Sequence, residues 1–203
     1  MVLDDAHDDP ADGDGDAPGD ESADEPGNDK PSALRGAVEW VAVLVGAVLV
    51  ALVVRTFLLQ AFSIPSGSME STLEIRDRLL VNKLSYQFGD LERGDIVVFE
   101  KPDDVASPYD DLIKRVIGLP GDVVEGRDDQ VFVNGEALDE PYLDANTITS
   151  AFGPETVPAD HVWVMGDNRG NSSDSRVFGP IETDRVRGEA FLRYWPLPRI
   201  GTP

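Results

Sequence analysis

Residues 111–135 read DLIKRVIGLPGDVVEGRDDQVFVNG. Apolar residues come in short runs rich in Val and Ile, and the runs are broken by Pro120-Gly121-Asp122 and Asn134-Gly135. Short β-branched runs bounded by turn pairs predict strands. Asn134-Gly135, set between VFV and EAL, is the signature of a two-residue hairpin. The same texture extends in both directions, through DRLLVNKLSY and GDIVVFE upstream and HVWVMGD and GEAFLRYW downstream. No amphipathic helical pattern of about ten residues interrupts it. Residues 60–203 are therefore expected to form a mostly β domain, an antiparallel β-sandwich or barrel-like fold. Segments 102–111 and 143–158 are expected to be loops.

Upstream of this domain, Ala37 to Leu59 reads AVEWVAVLVGAVLVALVVRTFLL. Val41 to Val54 holds no charge, and the run is long enough to cross roughly 30 Å of hydrocarbon at helical rise. Residues 35–59 are read as one transmembrane helix, with Glu39 and Trp40 at one interface and Arg55 snorkelling at the other. It is not read as a cleaved leader: it starts late, follows an acidic region and ends without a small-x-small pattern. Lys30 and Arg35 on one flank and Arg55, Arg76, Arg78 and Lys83 on the other leave its orientation undecided by charge.

Residues 1–34 contain Asp, Gly, Pro and Ala with almost no aliphatic bulk, and are expected to be a disordered acidic tail. The formal charge of the 203-residue chain is −22. Residues 1–29 supply twelve carboxylates and no Lys or Arg, and the rest of the chain carries a net −10. Such a balance offers no electrostatic footing for nucleic acid. The chain has no Cys, which removes disulfides, thiolate metal sites and Cys nucleophiles, and its only histidines are His7 and His161. No metal or cofactor is expected.

Three stretches carry candidate chemistry. FSIPSGSMESTL, residues 62–73, sets Ser63, Ser66 and Ser68 around Pro65 and Gly67. A serine in such a tight segment can present its hydroxyl beside backbone N–H groups, as an acyl-transfer nucleophile requires, although Ser, Gly and Pro also make ordinary turns. Lys114 lies in a strand pattern, on the face opposite Ile113 and Arg115. If that face is inward, burial lowers the amine from about 10.4 by as much as roughly 3–5 pH units, and it becomes a base for a serine hydroxyl. The alternative is a surface lysine on an edge strand. VMGDNRGNSSDSRVFGPI, residues 164–181, is dense in polar side chains and suits either a solvated loop or a hydrogen-bonded network that orients a catalytic group.

SIPSGSM after an apolar span, then LIKRVIGLPGD, then GDNRGNSSDSR, in that order, is similar to the bacterial form of type I signal peptidase. The likeness covers about Arg55 to Trp195. It implies a membrane-anchored serine endopeptidase, its N-terminus cytoplasmic and its catalytic β domain (60–203) outside, that removes signal peptides after small-x-small sites. It implies Ser68 as nucleophile, Lys114 as general base, and Ser66 with the Ser68 backbone N–H as the oxyanion hole. Ser172 would hydrogen-bond the Lys114 amine, Asp174 and Arg176 would form a supporting ion pair, and Asp167 and Arg169 would brace the same loop. Phe62, Ile64, Pro65, Met69, Leu73 and Ile113 would line shallow substrate pockets, with core packing as the alternative for each. The implied partners are signal-peptide-bearing preproteins, the lipid bilayer and a neighbouring secretion translocon. An apolar band including Phe57, Leu58, Phe62 and Trp195 would rest on lipid.

Three departures stand out. Ser71 occupies a position usually held by Pro, Gly170 one that is often polar, and the second domain of longer relatives is not expected. Eukaryotic and archaeal forms use His where the bacterial form has Lys, so Lys114 sides with the latter and His161 is expected to be structural. Two other readings compete: a self-cleaving Ser-Lys peptidase of the SOS-repressor kind, and a non-catalytic membrane-anchored domain that binds exported peptides. The membrane span opposes the first, and retention of Ser66, Ser68, Lys114, Ser172 and Asp174 together opposes the second. High-salt adaptation is a weaker reading of the acidity, because the tail supplies more than half of it.

Overall fold

The computed structural model describes residues 33–54 and 58–203. The tail expected at 1–34 lies outside the described residues but for its last two, as do Arg55 and Phe57. Helix α1, Ala33–Val53, is long and apolar enough to cross a membrane. It stops short of the expected Leu59, which instead opens the first strand.

The β domain is built from eleven strands: β1 Leu59–Ser63, β2 Arg78–Asn82, β3 Ile96–Glu100, β4 Asp111–Gly118, β5 Val123–Arg127, β6 Gln130–Val133, β7 Glu136–Ala137, β8 Phe152–Thr156, β9 His161–Met165, β10 Ile181–Glu182 and β11 Val186–Trp195. Short helices α2, Ser85–Phe88, and α3, Ser175–Phe178, complete it. Seven strands form one sheet in the order β1-β2-β11-β3-β4-β9-β10, and four form a second in the order β7-β6-β5-β8. Every pairing is antiparallel.

The turns explain much of this layout. Asn134 and Gly135 take φ of 54° and 84° between β6 and β7, the left-handed pair expected of an Asn-Gly hairpin. Asp128 and Asp129, at φ 52° and 63°, make an equivalent turn between β5 and β6. Strand β2 ends where Asn82 Oδ1 accepts the Leu84 N–H at 3.0 Å, so the expected run DRLLVNKLSY breaks into a strand and a helical turn. Segment 143–158, expected to be a loop, contains β8. Its Pro154 and mostly exposed side chains hide the strand pattern, but it pairs at the edge beside β5, and Phe152 stacks on Trp163 at 5.3 Å.

Three apolar clusters hold the domain. Ile64, Met69, Leu73, Leu79, Val81, Val98 and Ile113 pack the segment after β1 onto the large sheet. Ile117, Trp163 and Met165 join that sheet to Val124, Val131 and Val133 of the small one. Val97, Phe99, Val116, Val162 and Val164 form a third cluster. Strand β4, between β3 and β9, therefore has cores on both faces, and its residues from Ile113 to Gly118 are all buried.

Strand β11 crosses β2 so closely that a Cβ on Gly188, whose φ is 155°, would strike the Asn82 carbonyl. Gly188→Ala should therefore cost at least about 2 kcal/mol, through strain and displaced sheet backbone. Urea unfolding of the full chain in detergent checks this: the midpoint should fall with the m-value unchanged.

Candidate active site

The segment between β1 and β2 carries the serines. Its ends are tied by Ile64 N–H to the Asp77 carbonyl at 2.9 Å and Arg76 N–H to the Ile64 carbonyl at 2.8 Å. Within it, Leu73 N–H donates to the Met69 carbonyl at 2.7 Å, a helical turn that folds Met69 and Leu73 inward to complete burial. These two side chains, expected among the pocket residues, instead pack beneath the site and line neither cavity described below. Ser71 sits at φ 86°, which a proline ring fixed near −65° does not reach, so this loop differs locally from one with Pro here.

Asn168 clamps the serine segment from the loop after β9. Its backbone N–H donates to the Ser68 carbonyl at 3.1 Å and its Nδ2 to the Gly67 carbonyl at 2.9 Å. Gly166 permits this approach, since a Cβ there would collide with both Ser172 Oγ and the Ser68 carbonyl. The result presents Ser68, 9% exposed, to Lys114, 3% exposed. Lys114 Nζ donates to Ser68 Oγ at 2.7 Å and to the Ile113 carbonyl at 2.8 Å. The Lys114 side chain is inward, and burial lowers its amine from the ordinary 10.5 to about 8, against the opposing pull of the Asp174 and Asp167 carboxylates. With the amine neutral, the bond reverses: the serine hydroxyl donates to the nitrogen lone pair.

Both carboxylates are engaged by arginines. Asp174, fully buried, accepts Arg176 Nε and Nη2 at 2.8 Å each, and it also accepts the Gly166 N–H at 3.0 Å. Burial pushes its carboxyl up, but these bonds outweigh that and hold it below the usual range. Asp167 pairs with Arg115 rather than with Arg169, at 3.0 Å and 2.7 Å, and accepts Thr72 Oγ1–H at 2.5 Å. Arg169 reaches the other way, to Glu140, to Thr149 Oγ1 at 3.0 Å and to the Gly166 carbonyl at 3.1 Å. Tyr142 donates to Glu140 at 2.6 Å while its ring lies 3.8 Å from the Arg115 guanidinium carbon. Arg115, Glu140, Tyr142, Thr72, Thr149 and Asn168 were not singled out from the sequence. Apart from the Tyr142–Glu140 pair, their partners are far away in the chain, and only the clustered polar loop hinted at such a network.

Ser172 departs from expectation. Its hydroxyl is buried and finds no hydrogen-bond partner among the described residues, while Lys114 Nζ donates to Ser68 and Ile113. It lies close enough to Asp174 to favour the ionised carboxylate without reaching hydrogen-bond geometry. Ser66, half-buried, shares a cavity wall with Gly67, Ser68 and Lys114. A second, more apolar cavity is lined by Phe62, Ile64, Pro65 and Ile113 together with Val98 and Leu112. Among the described residues no group of three or more His, Cys, Asp or Glu is placed to hold a metal ion.

A serine hydroxyl against a buried amine, on an antiparallel β scaffold, is the arrangement that Ser-Lys hydrolysis requires. Residues 37–195 match the family described as "Signal peptidase, peptidase S26". "Probable signal peptidase I-2" of Synechocystis sp. is 48% identical over 160 residues, covering 78% of this chain and 73% of that one. "Signal peptidase I" of Leptolyngbya laminosa is 41% identical over 180 residues, covering 87% and 88%. "Signal peptidase IB" of Staphylococcus aureus is 38% identical over 176 residues, covering 78% and 90%. Among solved structures, a signal peptidase I from Enterococcus faecalis V583 is 35% identical, covering 49% of this chain and 96% of that one, with a TM-score of 0.43. The chain belongs to the S26 signal peptidases, as a signal peptidase I.

The buried amine also weighs on stability. Below pH 8 Lys114 is charged in both the folded and the unfolded chain, and the fold bears the whole cost of burying that charge. The difference between 10.5 and about 8 corresponds to about 3 kcal/mol. As pH rises from 8 to 10.5, the folded protein releases the proton first and the cost disappears. Lys114→Met should thus unfold at higher urea than the parent at pH 6, with the gap narrowing between pH 8 and 10.5. A gap that does not change with pH would contradict the buried charge as its cause.

Proposed function

We propose that this signal peptidase I cleaves preproteins with Ser68 as nucleophile and Lys114 as general base. The observation that carries the reading is the 2.7 Å contact between a nearly buried Nζ and Ser68 Oγ, with the amine lowered to about 8 by burial. Neutral Lys114 takes the Ser68 proton as Oγ attacks the carbonyl before the scissile bond. The oxyanion that forms faces the Ser68 backbone N–H and the Ser66 hydroxyl, a kind of donor worth roughly 3 kcal/mol in other hydrolases. The Lys114 ammonium then gives its proton to the leaving amine. With that amine gone, Lys114 takes a proton from water, whose oxygen attacks the acyl-enzyme carbonyl; as the C–Oγ bond breaks, Lys114 returns the proton to Ser68 Oγ and the acid product leaves.

Asp174 with Arg176, and Asp167 with Arg115, keep the loop that faces Lys114 in place, and Arg169 ties the same loop to Glu140. Ser172 stands beside Asp174 and favours its ionised form. Side chains one and three residues before the cleaved bond enter the two cavities around Ser68 and around Ile64 and Ile113. On this reading the chain divides into a cytoplasmic tail over 1–34, a membrane anchor over 35–59 that takes in all of α1 but its first two residues, and an extracytoplasmic catalytic domain over 60–203. Trp195, 46% exposed, belongs to the surface that meets lipid, near the translocon that delivers the substrate.

The test is cleavage of a preprotein with an Ala-x-Ala site by the full chain in detergent, across pH 6 to 10. The parent should cut after the second Ala, and its rate should rise through a half-maximum near pH 8. Ser68→Ala and Lys114→Ala, both folded, should fall by at least about a thousandfold. A Lys114→Ala variant that cuts at the parent's rate would require a different base, and a parent that binds but never cuts would favour the peptide-binding reading.

A further inference from the structure

The catalytic cavity and the apolar cavity share Pro108, Tyr109 and Leu112 in their walls. Leu112 belongs to β4 and packs against the cluster around Phe99, so it is part of the sheet. Pro108 and Tyr109 instead sit on a loop, Pro102–Asp110, that leaves the sheet after β3 and returns at β4. This loop has a defined shape. Lys101 N–H donates to the Asp110 carbonyl at 2.9 Å and closes its base, and Val105 N–H turns back to the Pro102 carbonyl at 3.1 Å. Tyr109 N–H is held by Ser107 Oγ at 3.1 Å. The phenol ring is thus carried on an anchored backbone, outside the apolar clusters, and is 41% exposed.

An extended peptide places alternate side chains on one side, roughly 6.5–7 Å apart. The cavity holding Ser68 and Lys114 takes the side chain just before the cleaved bond. The neighbouring apolar cavity, which includes neither residue, takes the one two positions earlier. What divides them decides how large each side chain can be. Leu112 is fixed by the sheet and Pro108 is compact, so Tyr109 is the large removable part of the partition.

We propose that Tyr109 is a specificity-determining residue of this peptidase: its ring separates the two cavities and excludes large side chains from the position three residues before the cleaved bond. The inference rests on the Ser68–Lys114 reading above and adds to it a role for a loop that the sequence presents only as polar and irregular.

The experiment compares two peptides, Ala-x-Ala and Leu-x-Ala before the cleaved bond, with the full chain in detergent. The parent should cut the first and largely refuse the second. Tyr109→Ala should raise kcat/KM for the Leu peptide relative to the Ala peptide by about tenfold or more. Tyr109→Phe should keep the parent's ratio, because the ring and not the hydroxyl makes the wall. Both variants should melt with the parent, as Tyr109 is in no core cluster. A Tyr109→Ala enzyme that cuts both peptides in the parent's ratio, whether at full or reduced rate, overturns the proposal while leaving the dyad intact. A parent that cuts neither peptide overturns the dyad reading and this inference with it.

Discussion

Removing water from one lysine amine is the constraint around which the β domain is arranged. Strand β4 is flanked by β3 and β9 and covered on both faces, so Lys114 has no route to bulk solvent along its own strand. An ammonium there is costly, and the cost appears as an amine that gives up its proton near pH 8. The fold thereby exchanges some stability for a base that is available near neutral pH. The serine segment between β1 and β2 reaches the amine because Asn168 and the bare Cα of Gly166 let the two loops touch.

Two aspartates close to that amine would by themselves hold it protonated. Their arginine partners limit this. Asp174 is chelated by Arg176, Asp167 is chelated by Arg115, and each pair is nearly or wholly buried. The carboxylates spend their charge on planar guanidinium forks, a geometry that suits paired N–H donors better than a single ammonium. What remains is a modest upward pull on Lys114, smaller than the effect of burial. The pairs also hold the loop that bears them: Asp174 caps α3 and binds the Gly166 N–H, while Arg169 binds Glu140 between β7 and β8 of the small sheet. The second sheet is in this way coupled to the catalytic loop through Glu140, Tyr142 and Thr149.

Much of this was legible in the residues. Valine-rich runs broken by Gly-Asp, Pro-Gly and Asn-Gly mark most strands, and Asn134-Gly135 forms the turn its chemistry demands. The family likeness singled out Ser68 and Lys114, which the structure brings within hydrogen-bond distance. Other features were hidden for physical reasons. Arg115 looked like a neighbour of Lys114 with no stated job, because its partner Asp167 lies 52 residues away and sequence spacing carries no sign of it. Strand β8 was masked by Pro154 and by exposed side chains that need no alternation at a sheet edge. Met69 and Leu73 were indistinguishable from pocket residues until the turn between them showed that they face inward. Asp128-Asp129 makes a left-handed turn that Asp signals less strongly than Asn-Gly.

The central claim is that burial, more than any neighbouring charge, sets the protonation of Lys114. It is tested most directly by following the ε-methylene carbon of Lys114 by NMR through a pH titration of the full-length protein, labelled on lysine and held in detergent, with Lys114→Met to assign the signal. A midpoint near 8 is the result predicted. A midpoint at 10 or above would mean that the amine is solvated or held as an ion by Asp174 and Asp167, and would contradict the account.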